Sequence, residues 1–278
     1  MSINGTNGTN APLPPATRLR QLLAEKDIVI APGVYDGFSA RIALKLANRY
    51  QTGAGTSASE LGQPDLGFAS LNDMREHAEM IASLETTTPL IADADTGYGG
   101  PIMVARPSRS ITEAIQTKRC GHLGGKQVVP VDVFVSRITA AVASRKALGS
   151  DIVIVARTDA LQTDGFDEAI VRLKAAAETG ADVAFLEGVT NEQEAREVCR
   201  LLAPTPVLLN MVENGARLLG RRRKRGNWAI RNTYFQIKES GSTGIDPEFT
   251  PKKLFTIVGL KEATAIDVAA GGDLYGKV

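Results

Sequence analysis

Short apolar segments alternate with helical patterns from residue 17 onward, and this alternation limits the possible folds more than any other feature of the chain. Six segments are typical of buried strands, at 28–36, 50–59, 89–95, 151–159, 183–188 and 206–215. Segments such as 38–48, 71–85 and 166–180 have the apolar spacing of amphipathic helices. Because strands covered on both faces are almost continuously apolar, the pattern predicts an α/β fold with a parallel sheet surrounded by helices.

Polar residues follow nearly every predicted strand, and their distribution distinguishes two kinds of parallel sheet. They are Asp36, Thr52, Asp93, Asp95, Arg157, Asp159, Glu187, Asn210 and Glu213. In a barrel the carboxyl ends of all strands converge on one site, whereas an open doubly wound sheet carries a glycine-rich phosphate motif after its first strand. The first strand here ends in APGVYDG, which lacks that motif. The sequence therefore predicts a TIM-type (β/α)8 barrel.

A complete barrel has eight strands, and the sequence shows only six clear ones. The interval between Leu90 and Ile152 has room for two repeats, but its only further apolar segment is 127–129. After Asn210 the chain becomes strongly basic where the eighth strand is expected. We therefore expect an incomplete barrel whose fourth and eighth strands are missing or altered.

Length and composition fit one large domain. With 278 residues, of which 43% are hydrophobic, the chain can bury a sizeable core. We expect a disordered, turn-rich tail over residues 1–16, a barrel domain over 17–250 and a helical segment over 251–278. Since the sequence shows no signal-peptide pattern, no membrane span and only two cysteines, we expect a cytoplasmic protein, with mitochondria as the alternative.

The charge pattern argues against nucleic-acid binding. Six basic residues and no acidic residue lie in 217–225, but the formal net charge of the chain is only +1, so the remainder is mildly acidic. Basic segments of this kind also occur in nuclear localisation signals and nucleic-acid contacts. Because aromatic residues do not alternate with the basic ones here, we expect neither a nucleic acid nor a membrane as partner.

Two aspartates in the segment ADADTGYGG are candidate metal ligands. Asp93 and Asp95 lie one residue apart at the end of an apolar strand, so their side chains share one face. Carboxylates beside flexible glycines suit a hard divalent cation that keeps several of its waters. The alternative is a pair of aspartates that cap a loop. Convergence of the other strand ends favours the metal.

A thiol and an imidazole lie in a second glycine-rich segment, KRCGHLGGK. Lys118 and Arg119 would lower the pKa of the Cys120 thiol, and the glycines would permit a loop that opens and closes. An ordinary surface loop is the alternative, and zinc is disfavoured because Cys120 and His122 lack partners at zinc-site spacing. Arg157 ends an apolar strand, where its planar fork suits a carboxylate or phosphate.

Seven motifs together resemble the isocitrate lyase/phosphoenolpyruvate mutase superfamily. They are TGAGTSAS, LGQPDLG, ADADTGYGG, KRCGHLGGK, VARTDA, FLEG and NMVE. The resemblance covers residues 17–215 and resumes at about 239–272. It is closest to the short members of the 2-methylisocitrate lyase, dimethylmalate lyase and oxaloacetate acetylhydrolase group. KRCGH is specific to members that cleave carbon–carbon bonds.

The resemblance implies a role for each matching residue. Asp93, Asp95 and Asp65 would hold Mg²⁺, with Mn²⁺ as an alternative. Cys120 would be the proton donor, and Glu187 would orient the water and metal network. The residues implied in substrate binding are Tyr50, Thr52, Gly53, Ala54 and Arg157 for one carboxylate, and Gly121, His122 and Asn210 for the other.

The implied reaction cleaves a bond next to a carbonyl in a small 2-hydroxy or 2-oxo di- or tricarboxylic acid, through an enolate held by the metal. Methylisocitrate, dimethylmalate and oxaloacetate are the substrate types, and the oxaloacetate branch is hydrolytic. The resemblance also implies a homotetramer whose subunits exchange the helix of 251–270; the alternative is packing of that helix on its own barrel.

Two departures from the family leave other functions open. The family has a glutamate ligand on its fourth strand, but here ITEAI runs directly into QTKRCGH, so we expect that strand and its glutamate to be absent. The segment 215–236 replaces the seventh helix and eighth strand. The alternatives are therefore an inactive or impaired homologue and, less favoured by KRCGH, a phosphonomutase.

Overall fold

The computed structural model describes residues 12–25, 28–44, 48–105, 111–112, 120, 123, 125–210, 252, 255–256 and 259–272. Seven strands lie in these residues, and they are β1 (Gly33–Val34), β2 (Arg49–Gln51), β3 (Leu90–Ala92), β4 (Ile111–Thr112), β5 (Val155–Thr158), β6 (Val183–Leu186) and β7 (Val207–Leu208). All their pairings are parallel, in the orders β1-β2-β3 and β4-β5-β6-β7. The alternation of parallel strands and helices is that of a TIM-type α/β barrel.

The fourth strand is present, and the expectation that it is absent was wrong. Ile111–Thr112 pairs with β5, with Ile111 opposite Ala156 and Thr112 opposite Arg157. The strand is altered in length, because only two residues pair, and this pair of β-branched residues is too short to show as an apolar run. The expected eighth strand and Glu213 fall in 211–251, outside the described residues.

Helices follow the strands in sequence. They are α1 (Pro15–Glu25), α2 (Gly37–Ala43), α3 (Gly53–Glu60), α4 (Leu71–Ser83), α5 (Pro101–Val104), α6 (Val131–Ala147), α7 (Ala160–Thr163), α8 (Phe166–Thr179), α9 (Glu192–Leu202) and α10 (Leu260–Ala269). No helix in the described part of the chain combines the length and apolar character needed to cross a membrane. The boundaries of the tail, barrel and C-terminal segment stay predictions.

Side-chain alternation along β5 and β6 decides what faces the barrel interior. Val155, Val183 and Phe185 pack together with Leu19 of α1, whereas Ala184 and Leu186 pack against α8 and α9. Because side chains alternate with a period of two, Arg157 and Glu187 continue the first, interior face at the carboxyl ends of these strands.

The opposite end of the barrel is tied to α1 by charge. Asp182 precedes β6 and binds Arg20 of α1 at 2.7 Å and Arg145 of α6 at 2.5 Å. Arg20 also donates to the backbone carbonyls of Asp151 and Ile152, each at 2.9 Å. This ionic cluster fixes the amino ends of β5 and β6. In a barrel of this kind the functional site lies at the other, carboxyl ends of the strands.

Glu85, in the turn before β3, provides a test of stability against pH. Its carboxylate accepts hydrogen bonds from the Thr87 hydroxyl at 2.6 Å and from the backbone amides of Thr87 at 2.7 Å and Thr88 at 2.6 Å. Hydrogen bonding by the side chains of Thr87 and Thr88, and then by their backbone amides, lowers the pKa of Glu85 to about 2. Because the folded pKa is depressed, the stabilisation is complete above the usual pKa of 4.5 and is lost as pH falls from there toward 2.

We therefore expect Glu85→Gln to lower the melting temperature by about 1–3 °C at pH 7, where solvent screening keeps the effect small. Toward pH 3 the difference between the two proteins should shrink, because below pH 4.5 the unfolded parent binds a proton at Glu85 that the folded parent does not yet bind. Melting followed by circular dichroism between pH 3 and 7 measures it, with the exposed Glu76→Gln as control. A difference independent of pH would contradict the assignment.

Candidate active site

The segment after β2 directs backbone amides toward the strand ends. Thr52 is the N-cap of α3, and its hydroxyl accepts the Gly55 N–H at 2.7 Å. The Gly53 N–H donates to Asp93 Oδ2 at 3.2 Å. The start of α3 therefore places backbone amides, and the positive end of the helix dipole, beside the aspartates. Tyr50 and Ala54, also predicted to bind substrate, are half-buried in the same segment.

Asp93 and Asp95 lie close together beside the start of α3. Both are buried, and the Asp95 N–H donates to Asp93 Oδ1 at 2.8 Å. A Cβ atom built on Gly53 would lie 2.8 Å from Asp93 Oδ2 and 3.3 Å from Asp95 Oδ1, so only glycine leaves room there. Asp95 has a φ of 50°, a left-handed conformation that aspartate tolerates better than most residues.

The oxygen donors of this pair fit Mg²⁺, which is commonly held by one or two carboxylates and keeps several waters. Among the described residues, no three His, Cys, Asp or Glu side chains form a metal-holding cluster. Asp65, the predicted third ligand, is buried, and its backbone carbonyl accepts the Cys120 N–H at 3.0 Å. Its predicted role as a metal ligand stays a prediction.

Arg157 and Glu187 meet at the ends of β5 and β6. Arg157 Nη2 lies 3.1 Å from Glu187 Oε2 and 3.0 Å from Asp159 Oδ1, and its Nε lies 3.2 Å from Asp159 Oδ2. The guanidinium carbon also stands 5.2 Å from the centre of the Phe185 ring. The interior position inferred for Arg157 thus has both a carboxylate and an aromatic partner.

Electrostatics keep this ion pair charged despite its burial. Burial alone would lower the pKa of Arg157, but the charge and hydrogen bonds of Asp159, together with Tyr50 and Asp93, raise it above its ordinary value. Burial would likewise raise the pKa of Asp159, but Arg157 and Lys126 hold it well below its usual range. Because Tyr50 and Asp93 both interact electrostatically with Arg157, the ends of β2, β3 and β5 lie in one site.

Lys126 is the site residue that sequence reasoning missed, together with the specific role of Asp159. Lys126 Nζ lies 2.7 Å from Asp159 Oδ1 and 2.9 Å from Gln162 Oε1, and its side chain is only 1% exposed. Two signals were available: a lysine six residues after Cys120 in the same segment, and an aspartate on the same strand face as Arg157. Neither identifies a partner 33 residues away.

Cys120 is buried beneath apolar side chains. It forms a cluster with Leu66, Leu123, Phe255 and Leu260, so the C-terminal segment covers the cysteine. Asn210, two residues after β7, is half-buried. Gly121 and His122, with Lys118 and Arg119, lie outside the described residues, so their predicted roles stay predictions.

Known proteins share both the sequence and the fold. A family described as phosphoenolpyruvate phosphomutase matches residues 19–221. The 2,3-dimethylmalate lyase of Eubacterium barkeri is 39% identical over 212 residues, which are 72% of each chain. A solved oxaloacetate acetylhydrolase with 3,3-difluorooxalacetate has a TM-score of 0.72 at 44% identity, covering 94% of this chain and 99% of that one.

A crystal structure of 2,3-dimethylmalate lyase aligns with a TM-score of 0.71 at 47% identity, covering 94% of this chain and 96% of that one. These matches confirm the family and the barrel fold expected from the seven motifs. The chain therefore belongs to the isocitrate lyase/phosphoenolpyruvate mutase superfamily, among its lyases and the related hydrolase.

Proposed function

We propose that this chain is a Mg²⁺-dependent enzyme that cleaves a carbon–carbon bond in a small 2-hydroxy or 2-oxo di- or tricarboxylic acid. The observation that carries the proposal is the convergence of Asp93, Asp95 and the Gly53 amide at the strand ends that also hold Arg157. Relatives named 2-methylisocitrate lyase, 2,3-dimethylmalate lyase and oxaloacetate acetylhydrolase support the reaction class.

Formal charge supports a divalent cation at this site. Lys126 and Arg157 are matched in charge by Asp159 and Glu187, with which they form their ion pairs. Asp93 and Asp95 then add two formal negative charges to the same buried region. A Mg²⁺ ion held by Asp93 and Asp95, with Asp65 nearby, would balance them and supply Lewis-acid stabilisation of the negative charge on the 2-oxygen of the substrate. Mn²⁺ suits the same oxygen donors.

The chain's own residues would then bind, orient and protonate. Arg157 and the amides of the 52–54 turn would bind the carboxylate next to the reacting carbonyl, and Asp159 and Glu187 hold the guanidinium in place for it. When the 2-hydroxyl group has lost its proton and the carbon–carbon bond breaks, the 2-oxygen becomes a carbonyl oxygen and the bonding electron pair leaves on the second product. Cys120 Sγ would give its proton to that carbon. His122, Gly121 and Asn210 would bind the second carboxylate, and the apolar cover of Cys120 would exclude water.

A second candidate is an impaired or inactive homologue. It is favoured by the absence of a third carboxylate clustered with Asp93 and Asp95 in the part of the chain that the structure describes. The third candidate, a phosphonomutase, is disfavoured by Cys120 in KRCGH. We further propose a homotetramer in the cytoplasm or mitochondria. For α10, the packing of Leu260 on Leu66 and Cys120 of the same chain favours packing of this helix on its own barrel over exchange between subunits.

Thermal melting with Mg²⁺ and oxalate, a mimic of the enolate, tests the proposal first. Mg²⁺ and oxalate together should raise the melting temperature by about 5 °C or more, because saturation at 100 times Kd adds roughly 2.7 kcal/mol of stability. Oxalate with EDTA should give no shift. A normal melt without any shift would favour the inactive homologue.

Product analysis then separates the active candidates. Purified enzyme is incubated with methylisocitrate, dimethylmalate, oxaloacetate and phosphonopyruvate, and Cys120→Ser serves as the control. Pyruvate or propionate indicates a lyase, oxalate with acetate indicates the hydrolase, and phosphoenolpyruvate would replace the proposal by the mutase. Loss of product in Cys120→Ser supports the thiol as proton donor.

A further inference from the structure

We propose that Lys126 is a positioning residue that fixes the Cys120 segment against the substrate-binding arginine, through the buried carboxylate of Asp159. The Asp159 carboxylate would thereby keep Cys120, the proposed proton donor, at a fixed distance from Arg157, which is proposed to bind the substrate carboxylate. The inference rests on the proposed function, and it assigns to this site two residues that do not contact the reacting atoms.

The first support is the geometry of the shared carboxylate. Asp159 Oδ1 lies 2.7 Å from Lys126 Nζ and 3.0 Å from Arg157 Nη2, while Oδ2 accepts from Arg157 Nε at 3.2 Å. Asp159 is fully buried. A carboxylate that accepts from two cations through the same oxygen cannot rotate toward one without lengthening its bond to the other, so Lys126 and Arg157 constrain each other.

The second support is the anchoring of the segment that carries Cys120. At one end the Cys120 N–H donates to the Asp65 carbonyl at 3.0 Å, and at the other end the Lys126 ammonium is held by Asp159 and Gln162. Between them lie three glycines, at 121, 124 and 125, and glycine gives the backbone more freedom than any other residue. The two anchored residues, Cys120 and Lys126, are therefore the ones that would set the position of the thiol relative to Asp159.

The third support is the proximity of the lysine to the thiol. Burial is the main cause that lowers the pKa of Lys126, Asp159 acts in the opposite direction, and Cys120 is among the groups that also raise it. The ammonium and the thiol are therefore close enough to interact electrostatically. Displacing the Lys126 ammonium would therefore change the electrostatic environment of the Cys120 thiol.

Energetics separate positioning from simple stabilisation. Removing one partner of a buried ion pair is destabilising mainly because the other charge is left uncompensated. In Lys126→Met the Asp159 carboxylate still has the guanidinium of Arg157 as its counter-charge. Removing Lys126 also leaves Asp159 with two hydrogen bonds from Arg157. Lys126→Met should therefore remain folded, but its Cys120 thiol should no longer be held in the correct position relative to the substrate.

Steady-state kinetics of Lys126→Met, Lys126→Arg and the exposed control Lys174→Met test the proposal on whichever acid the parent cleaves. We expect kcat to fall roughly 100-fold in Lys126→Met, as misplacement by about 1 Å can do, while KM stays within about threefold because Arg157 keeps its partner. Lys126→Arg keeps the charge, so its kcat should be at least about tenfold higher than that of Lys126→Met. The kcat of Lys174→Met should equal that of the parent. A double variant with Asp159→Asn should be no slower than Asp159→Asn alone.

Amide hydrogen exchange gives a readout that does not need turnover. In Lys126→Met, exchange in the 120–126 segment should accelerate at least about tenfold, while α8 and α9 exchange as in the parent. Parental kcat together with parental exchange would overturn the proposal, and so would an equal loss in Lys126→Arg and Lys126→Met. If the parent cleaves no acid, the proposed function fails, and exchange alone still decides whether Lys126 fixes the segment.

Discussion

Replacing Arg157 by methionine should lower the melting temperature by about 10 °C and abolish turnover. Breaking a buried ion pair by removing one partner costs roughly 3–5 kcal/mol, which for a domain of this size corresponds to about 2–4 °C per kcal/mol. Arg157 is bonded to both Asp159 and Glu187, so its removal withdraws a cation from two buried carboxylates at once. Only Lys126 would still pair with Asp159.

Arg157→Lys separates the charge from the geometry of the guanidinium. The ammonium keeps the positive charge but cannot donate two parallel bonds to Asp159 and still face a substrate carboxylate. We expect a folded protein whose KM is roughly 10–100 times higher, equivalent to the loss of one charge-assisted hydrogen bond. Differential scanning calorimetry and steady-state kinetics measure the two effects.

The matched control is Arg196→Met, since Arg196 pairs with Glu192 on the exposed surface of α9, where 78% of the arginine side chain is accessible. Exposed pairs of this kind contribute little, so its melting temperature should stay within about 2 °C of the parent. If Arg157→Met melted like Arg196→Met, the buried network would not be the stabilising unit that the distances indicate.

The fold could be predicted from sequence where the local pattern was strong. The apolar runs of β3, β5 and β6 end in charged residues, and that combination is visible without a structure. The strand β4 was missed because a two-residue pair carries no periodicity, and its identity depends on pairing with β5. The end of a strand can be predicted from neighbouring residues, but its pairing partner cannot, because the partner is distant in the sequence.

The same distinction holds for the site. Strand alternation was the reason for assigning Asp93 and Asp95 to one face. The strand ends at Ala92, however, and Asp95 has a φ of 50°, so the turn after β3 determines where the two carboxylates lie. The Lys126–Asp159 pair could not be predicted from the local sequence, because it joins residues 33 positions apart and requires the barrel to bring them together. Asp65 was predicted to lie near the metal only from the resemblance of the chain to the superfamily. The structure adds that the Asp65 backbone carbonyl accepts the Cys120 N–H.

Gly53→Ala should weaken Mg²⁺ binding about 10–100-fold, with little effect on the fold. The added methyl group would lie 2.8 Å from Asp93 Oδ2, closer than real Cβ contacts allow, so the carboxylate must move away from Asp95. The same shift would lengthen the hydrogen bond from the Gly53 N–H to Asp93 Oδ2, whose N···O distance is now 3.2 Å. Disturbing the groups that orient metal ligands typically costs 10–100-fold in affinity.

Titration calorimetry with MgCl₂ measures this loss directly, and Gly37→Ala is the matched control. A Cβ atom at Gly37, at the start of α2, would meet Met80 Sδ at 3.5 Å, an ordinary contact, so its Mg²⁺ affinity should equal that of the parent. If Gly53→Ala bound Mg²⁺ as tightly as Gly37→Ala, the metal would not lie between the two aspartates. A loss confined to Gly53→Ala would place the cation where both carboxylates and the first turn of α3 meet.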